Sequence, residues 1–209
     1  MTTTPMRRVP AALVFHLLLA ASLALAPGDA VRAQSTDGGS SGQSQSRPGH
    51  GGGSVAASPL SQTATNGIIL NIRAVVSECR RYDPVYRTDC LAQGLRDVAR
   101  RVPRGPDYDE MRAAIASASG KLGAIARRDA DPQAPALRSR PGANTRFRAS
   151  RRYTATKPAR LRKTLSDAAH VVDALQTQLL RSGGNSAKRA VHFQQVAAAA
   201  GSTKVLLRS

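Results

Sequence analysis

From Thr65 to Leu207, except where Pro132, Pro135, Pro141 and Gly142 break the pattern over 129–157, the apolar residues recur at helical spacing, and no segment of useful length alternates as a strand would. A chain patterned this way buries its apolar surface by packing helix on helix. Ile68, Ile69, Ile72, Val75, Val76 and Cys79 fall on one face of a first helix that ends near Arg81. Asp83-Pro84 reads as the N-cap and first position of a second helix. Its stripe is Leu91, Leu95, Val98 and Val102, and Pro103-Arg104-Gly105-Pro106 stops it. A third opens at Asp107 and sets Met111, Ala114, Ile115, Ala118, Leu122 and Ile125 on one side. Asp107, Asp109 and Glu110 in its first turn and Arg127-Arg128 in its last complement the helix dipole, which gives those charges a structural reason.

A fourth helix begins around Pro158, carries Leu161, Leu165, Ala168, Val172, Leu175 and Leu179, and ends at Ser182-Gly183-Gly184-Asn185. A fifth, alanine-rich helix runs from about Ser186 to Ala200, with the apolar tail Val205-Leu206-Leu207 after it. The predicted fold class is all-α: a small bundle of about five helices over residues 63–209, with a basic loop at 131–157. Aromatic residues make up only 3% of the chain and Trp is absent. The core is therefore built from Leu, Ile, Val and Ala, and the chain lacks the stacked rings of a carbohydrate cleft or a single-stranded nucleic-acid groove.

The N-terminal third has a different character. Arg7 and Arg8 precede the apolar run Ala11–Ala26, Pro27-Gly28 breaks it, and Val31-Arg32-Ala33 offers a peptidase site. Residues 1–33 thus read as a secretory signal peptide, cleaved after Ala33 or, as second choice, after Ala30. The run contains His16 and falls short of the roughly 20 residues a spanning helix needs, so an uncleaved membrane tether is the alternative. No cysteine stands nearby for lipid attachment, and Val9-Pro10 does not suit a twin-arginine signal. The expected location is periplasmic or secreted. Residues 34–62 are Gly, Ser and Gln with hardly a large apolar side chain, the composition of a flexible linker.

Two matches in that linker imitate an esterase. Gly38-Gly39-Ser40-Ser41-Gly42 fits the nucleophile-elbow pattern and His50-Gly51-Gly52-Gly53 the oxyanion motif. The elbow serine needs a strand before it and the oxyanion loop should precede the nucleophile; neither holds, so both are coincidences of Gly/Ser-rich sequence.

Cys79 and Cys90 are the only cysteines, and outside the cytosol they are expected to form a disulfide worth about 3 kcal/mol. A symmetric hairpin would set Cys79 against a residue nearer the turn, which would start the second helix late, near Thr88. Zinc wants about four ligands, and beyond the cysteines only His50, His170 and His192 follow the signal. No metal and no cofactor is expected. His170 lies between Asp167 and Asp173 but off the apolar stripe, so it should face solvent. His192, beside Phe193, reads as a partly buried filler. Asp129 and Asp131 form a D-x-D that lacks the glycine and glutamate of a calcium loop. No zincin, Walker or S-x-x-K motif occurs.

The functional candidate is the segment 138–163, with ten cations, no acid, and Phe147 and Tyr153 interleaved. Such a run repels itself and is expected to stay extended unless an anion neutralises it. Arg146, Arg148, Arg151, Arg152, Lys157, Arg160, Arg162 and Lys163 are the candidate anion-binding residues, since arginine forks onto phosphate or carboxylate. The chain carries a formal net charge of +18, which favours anionic partners, although abundant Arg and Ala also arise from GC-rich coding alone. The expectation is a non-enzymatic helical protein that binds an anionic envelope polymer or lipid head groups through the basic loop. Nucleic acid is disfavoured as a partner. A protein-protein assembly module without anion specificity is the alternative, and a secreted hydrolase ranks third.

Overall fold

The computed structural model describes residues 59–139, 144–147 and 149–208, all within one compact unit, Gly52–Ser209. The signal peptide 1–33 with its cleavage sites, the linker as far as Ser58, the esterase-like motifs and Arg148 lie outside the described residues.

Among the described residues five helices make the fold all-α: α1 (Gln62–Cys79), α2 (Pro84–Arg101), α3 (Pro106–Arg128), α4 (Leu161–Ser182) and α5 (Ala187–Gly201). Short 3-10 turns lead into α4 (Pro158–Arg160), join α4 to α5 (Gly183–Asn185) and follow α5 (Ser202–Leu207). The predicted stripes form the core: Ile68, Ile72, Val75, Leu91, Leu95, Met111, Ile115, Leu165, Val172 and Leu179 are all buried, while Ile125 is only half-buried.

The packed chain starts earlier than Thr63. Leu60 is buried in the core, and Ser61 caps α1, its Oγ accepting the Ala64 N–H at 3.2 Å. Buried Tyr108 fixes both neighbours: its hydroxyl accepts the Ser61 N–H at 3.0 Å and lies 3.3 Å from the Pro59 carbonyl, to which it donates. The last residues assigned to the linker are thus part of the fold.

Cys79 and Cys90 are bonded, with Cα atoms 5.7 Å apart. α2 begins at Pro84 rather than near Thr88, and Asp83 occupies the N-cap without a side-chain cap hydrogen bond. The hairpin reaches Cys90 because Gly94 lets α1 come close: a β-carbon there would overlap the Val75 side chain. Val75 against Gly94 and Cys79 against Cys90 mark one antiparallel register. The turn into α3 depends on Gly105, whose φ of 138° and ψ of 159° belong to a region that essentially only glycine occupies. Pro106 follows at the first helical position, where its missing N–H costs nothing.

His170 is exposed, as its place off the stripe predicts. His192 is more than a filler: it is buried, and its Nδ1 lies 2.8 Å from the buried Thr65 hydroxyl, tying α5 to α1. Between α3 and α4 the chain folds back on itself. Residues Leu137–Arg138 (β1) pair antiparallel with Arg152–Tyr153 (β2), and Ala130 bridges to Thr156.

Candidate functional site: the basic strap

The described residues of segment 129–157 form a strap laid along α2, held by a row of that helix one turn apart. The Thr156 N–H donates to the Val85 carbonyl at 2.8 Å and the Thr154 N–H to the Asp89 carboxylate at 2.8 Å. Gln93 donates to the Arg152 carbonyl at 2.8 Å, and Arg151 forms an ion pair with Asp97. Tyr86 adds a hydrogen bond to the Pro135 carbonyl at 3.0 Å. On the α1 side, Asn144 donates to the Ala74 carbonyl and Arg146 to the Asn71 side chain, each at 2.9 Å.

This overturns the expectation of a self-repelling, extended loop. Tyr153 is buried and tilts against Tyr82, ring centres 5.2 Å apart. Phe147 is buried too, with the guanidinium groups of Arg101 and Arg151 over its ring at 4.9 and 4.8 Å. Within the strap, Arg151 is thus satisfied by the Phe147 ring and by Asp97 of α2, and Arg146 by the Asn71 side chain. Arg146 and Arg151 therefore hold the strap in place.

At the strap's base, the buried Asp129 carboxylate accepts from Arg128 at 2.6 Å, from Thr164 at 2.7 Å and from Arg160 at 3.4 Å, and its carbonyl accepts the Lys157 N–H at 3.0 Å. The Arg128 hydrogen bond, helped by Thr164 and the charge of Arg160, holds this carboxyl well below the usual carboxylate range against the opposing effect of burial. Arg128 and Lys163 lower Asp167 in the same way. Under the strap, burial and then the bond to Glu78 raise the Tyr82 phenol. The other Glu78 carboxylate oxygen is buried with no hydrogen-bond partner among the described residues.

Among the described residues, four cations of the run are left on the outside. Antiparallel register sets Leu137 opposite Tyr153 on the inner face and Arg138 opposite Arg152 on the outer face, where both arginines are exposed. Like charges directly opposite one another on a ladder destabilise it. Neither arginine has a carboxylate partner among the described residues, nor do the exposed Lys157 and Arg162. Arg160 and Lys163 are shared with Asp129 and Asp167. Composition reveals the excess of cations; the outer pair Arg138–Arg152 depends on a two-residue ladder too short to leave a strand period.

Among the described residues no group of three His, Cys, Asp or Glu side chains is placed to hold a metal ion, and no helix is long and apolar enough to cross a membrane. Compared with known protein families, curated proteins and solved structures, the chain matches none.

Proposed function

We propose that this chain is an exported, non-enzymatic helical protein that engages an anionic envelope component through the outer face of the strap. The observation that carries the reading is the cross-strand pair Arg138–Arg152, two exposed arginines at opposite positions of the ladder, neither paired with a carboxylate among the described residues. A phosphate or carboxylate placed between them would relieve their repulsion and accept a hydrogen bond from each. Lys157 and Arg162 extend the same unpaired charge towards the start of α4.

A strap pinned to α2 by hydrogen bonds suits such a role better than a free loop, because its backbone is placed before the anion arrives. The disulfide between Cys79 and Cys90 suits an oxidising compartment, in keeping with export. Retention of the chain on heparin and on vesicles of anionic lipid, falling steeply with salt, is the test. A complex with an envelope protein that resists high salt, without retention on either matrix, would instead establish the assembly-module reading.

A further inference from the structure

The solvent side of the α2–α3 contact holds a groove of about 370 Å3, lined by Ala99, Ala116, Ser119 and Gly120 and by Arg96, Arg100 and Arg112. That volume lies within the range of small-molecule sites. Its floor is apolar in effect, because the Ser119 hydroxyl is engaged by the Ala92 carbonyl at 2.9 Å and the other small residues offer only methyl groups or backbone. Its rim is arginine. Arg100 and Arg112 each hold an aspartate one turn away, Asp97 and Asp109, in pairs open to solvent on at least one side and weak for that reason.

Arg96 has no carboxylate among the described residues. It converges with Arg127 over Gly123: the position a β-carbon would take there is 3.7 Å from Arg96 Nη2 and 3.3 Å from Arg127 Nη1. Two guanidinium groups brought together in this way are stabilised by an anion between them. A second hollow, lined by Arg104 and Asp109 among others, shares Arg100 and Arg112 with the groove.

We propose that this groove binds one molecule of an anionic amphiphile, its phosphate or carboxylate head on Arg96 and its neighbours and its alkyl chain along the floor. A polyanion would leave the apolar floor uncovered, and a neutral apolar ligand would leave the guanidinium groups unpaired. The site stands on the groove's own residues and holds whether or not the strap binds anions.

The test titrates the full chain with decyl phosphate below its micelle concentration, beside inorganic phosphate and decyl maltoside. Saturable binding of decyl phosphate is expected, with each control weaker by about tenfold or more. Gly120→Leu fills the floor. A β-carbon at Gly120 meets nothing within 4 Å, and leucine favours a helix over glycine, so the variant should melt no lower than the parent and lose binding. Arg96→Gln, at an exposed position, should weaken decyl phosphate by about tenfold and leave decyl maltoside unchanged. Lys188→Gln, at an exposed position of α5 outside both the groove and the strap, should bind decyl phosphate as the parent does. Equal binding of either control, undiminished binding by either groove variant, or loss of binding in Lys188→Gln would overturn the proposal.

Discussion

Arg151 and Asp97 close the strap onto α2: the guanidinium and the carboxylate are in direct contact, and their side chains are only 11% and 13% exposed. Asp97 also receives Arg100 from its own helix, so one carboxylate joins the strap to the rim of the α2–α3 groove. Arg151 additionally covers the Phe147 ring, which makes it a packing residue as well as a charge.

Removing this guanidinium should cost stability. Arg151→Gln is expected to lower the free energy of unfolding by about 2 kcal/mol, because it strips a largely buried carboxylate of one partner and uncovers an aromatic face. Arg152→Gln, one residue further on but on the outer face, should stay within about 0.5 kcal/mol. Urea titration of both variants checks the contrast, and equal small effects would mean that this ion pair does not hold the strap.

Acid should loosen the base of the strap through Asp129. Its carboxyl is lowered in the folded chain, first by the Arg128 hydrogen bond. A group lowered on folding stabilises the fold above its unfolded pKa of about 4, and that contribution is lost as pH falls towards the folded value. Asp167 contributes with the same sign. The melting temperature should therefore fall as pH drops below about 4, and Asp129→Asn should melt lower near neutrality with a shallower acid dependence. Identical pH slopes in parent and variant would remove Asp129 from this role.

The start of the folded unit is open to a similar check. A chain beginning at Pro59 keeps Leu60 in the core, the Ser61 cap and both contacts of the Tyr108 hydroxyl. One beginning at Thr63 loses all of them and should be less stable by about 3 kcal/mol, roughly 2 from Leu60 burial and 1 from the cap. Equal thermal melting of the two truncations would return residues 59–62 to the linker.

The helices were legible because each carries its own signals within a few residues. The stripe from Ile68 to Cys79, the prolines at 84 and 106, and the Ser186 cap all act locally. The strap was not legible, because what neutralises it comes from far along the chain. Asp97 lies 54 residues from Arg151, and Asp89 lies 65 from Thr154. A polar row at Asp89, Gln93 and Asp97 was present in the sequence, yet nothing local says which segment such a row will meet. The burial of Phe147 and Tyr153 was not legible for the same reason: within a run of arginines it depends on α2 and Tyr82, not on their neighbours.

The outer face of the strap is tested most directly by the triple variant Arg138→Gln, Arg152→Gln, Lys157→Gln, measured as partitioning onto vesicles of anionic lipid at low and high salt. Each cation near an anionic surface contributes about 1 kcal/mol, so binding should weaken on the order of a hundredfold at low salt and lose much of its salt dependence. These side chains are exposed, so the melting temperature should stay unchanged. Partitioning and salt dependence equal to those of the parent, with the variant folded, would contradict anion binding by the strap.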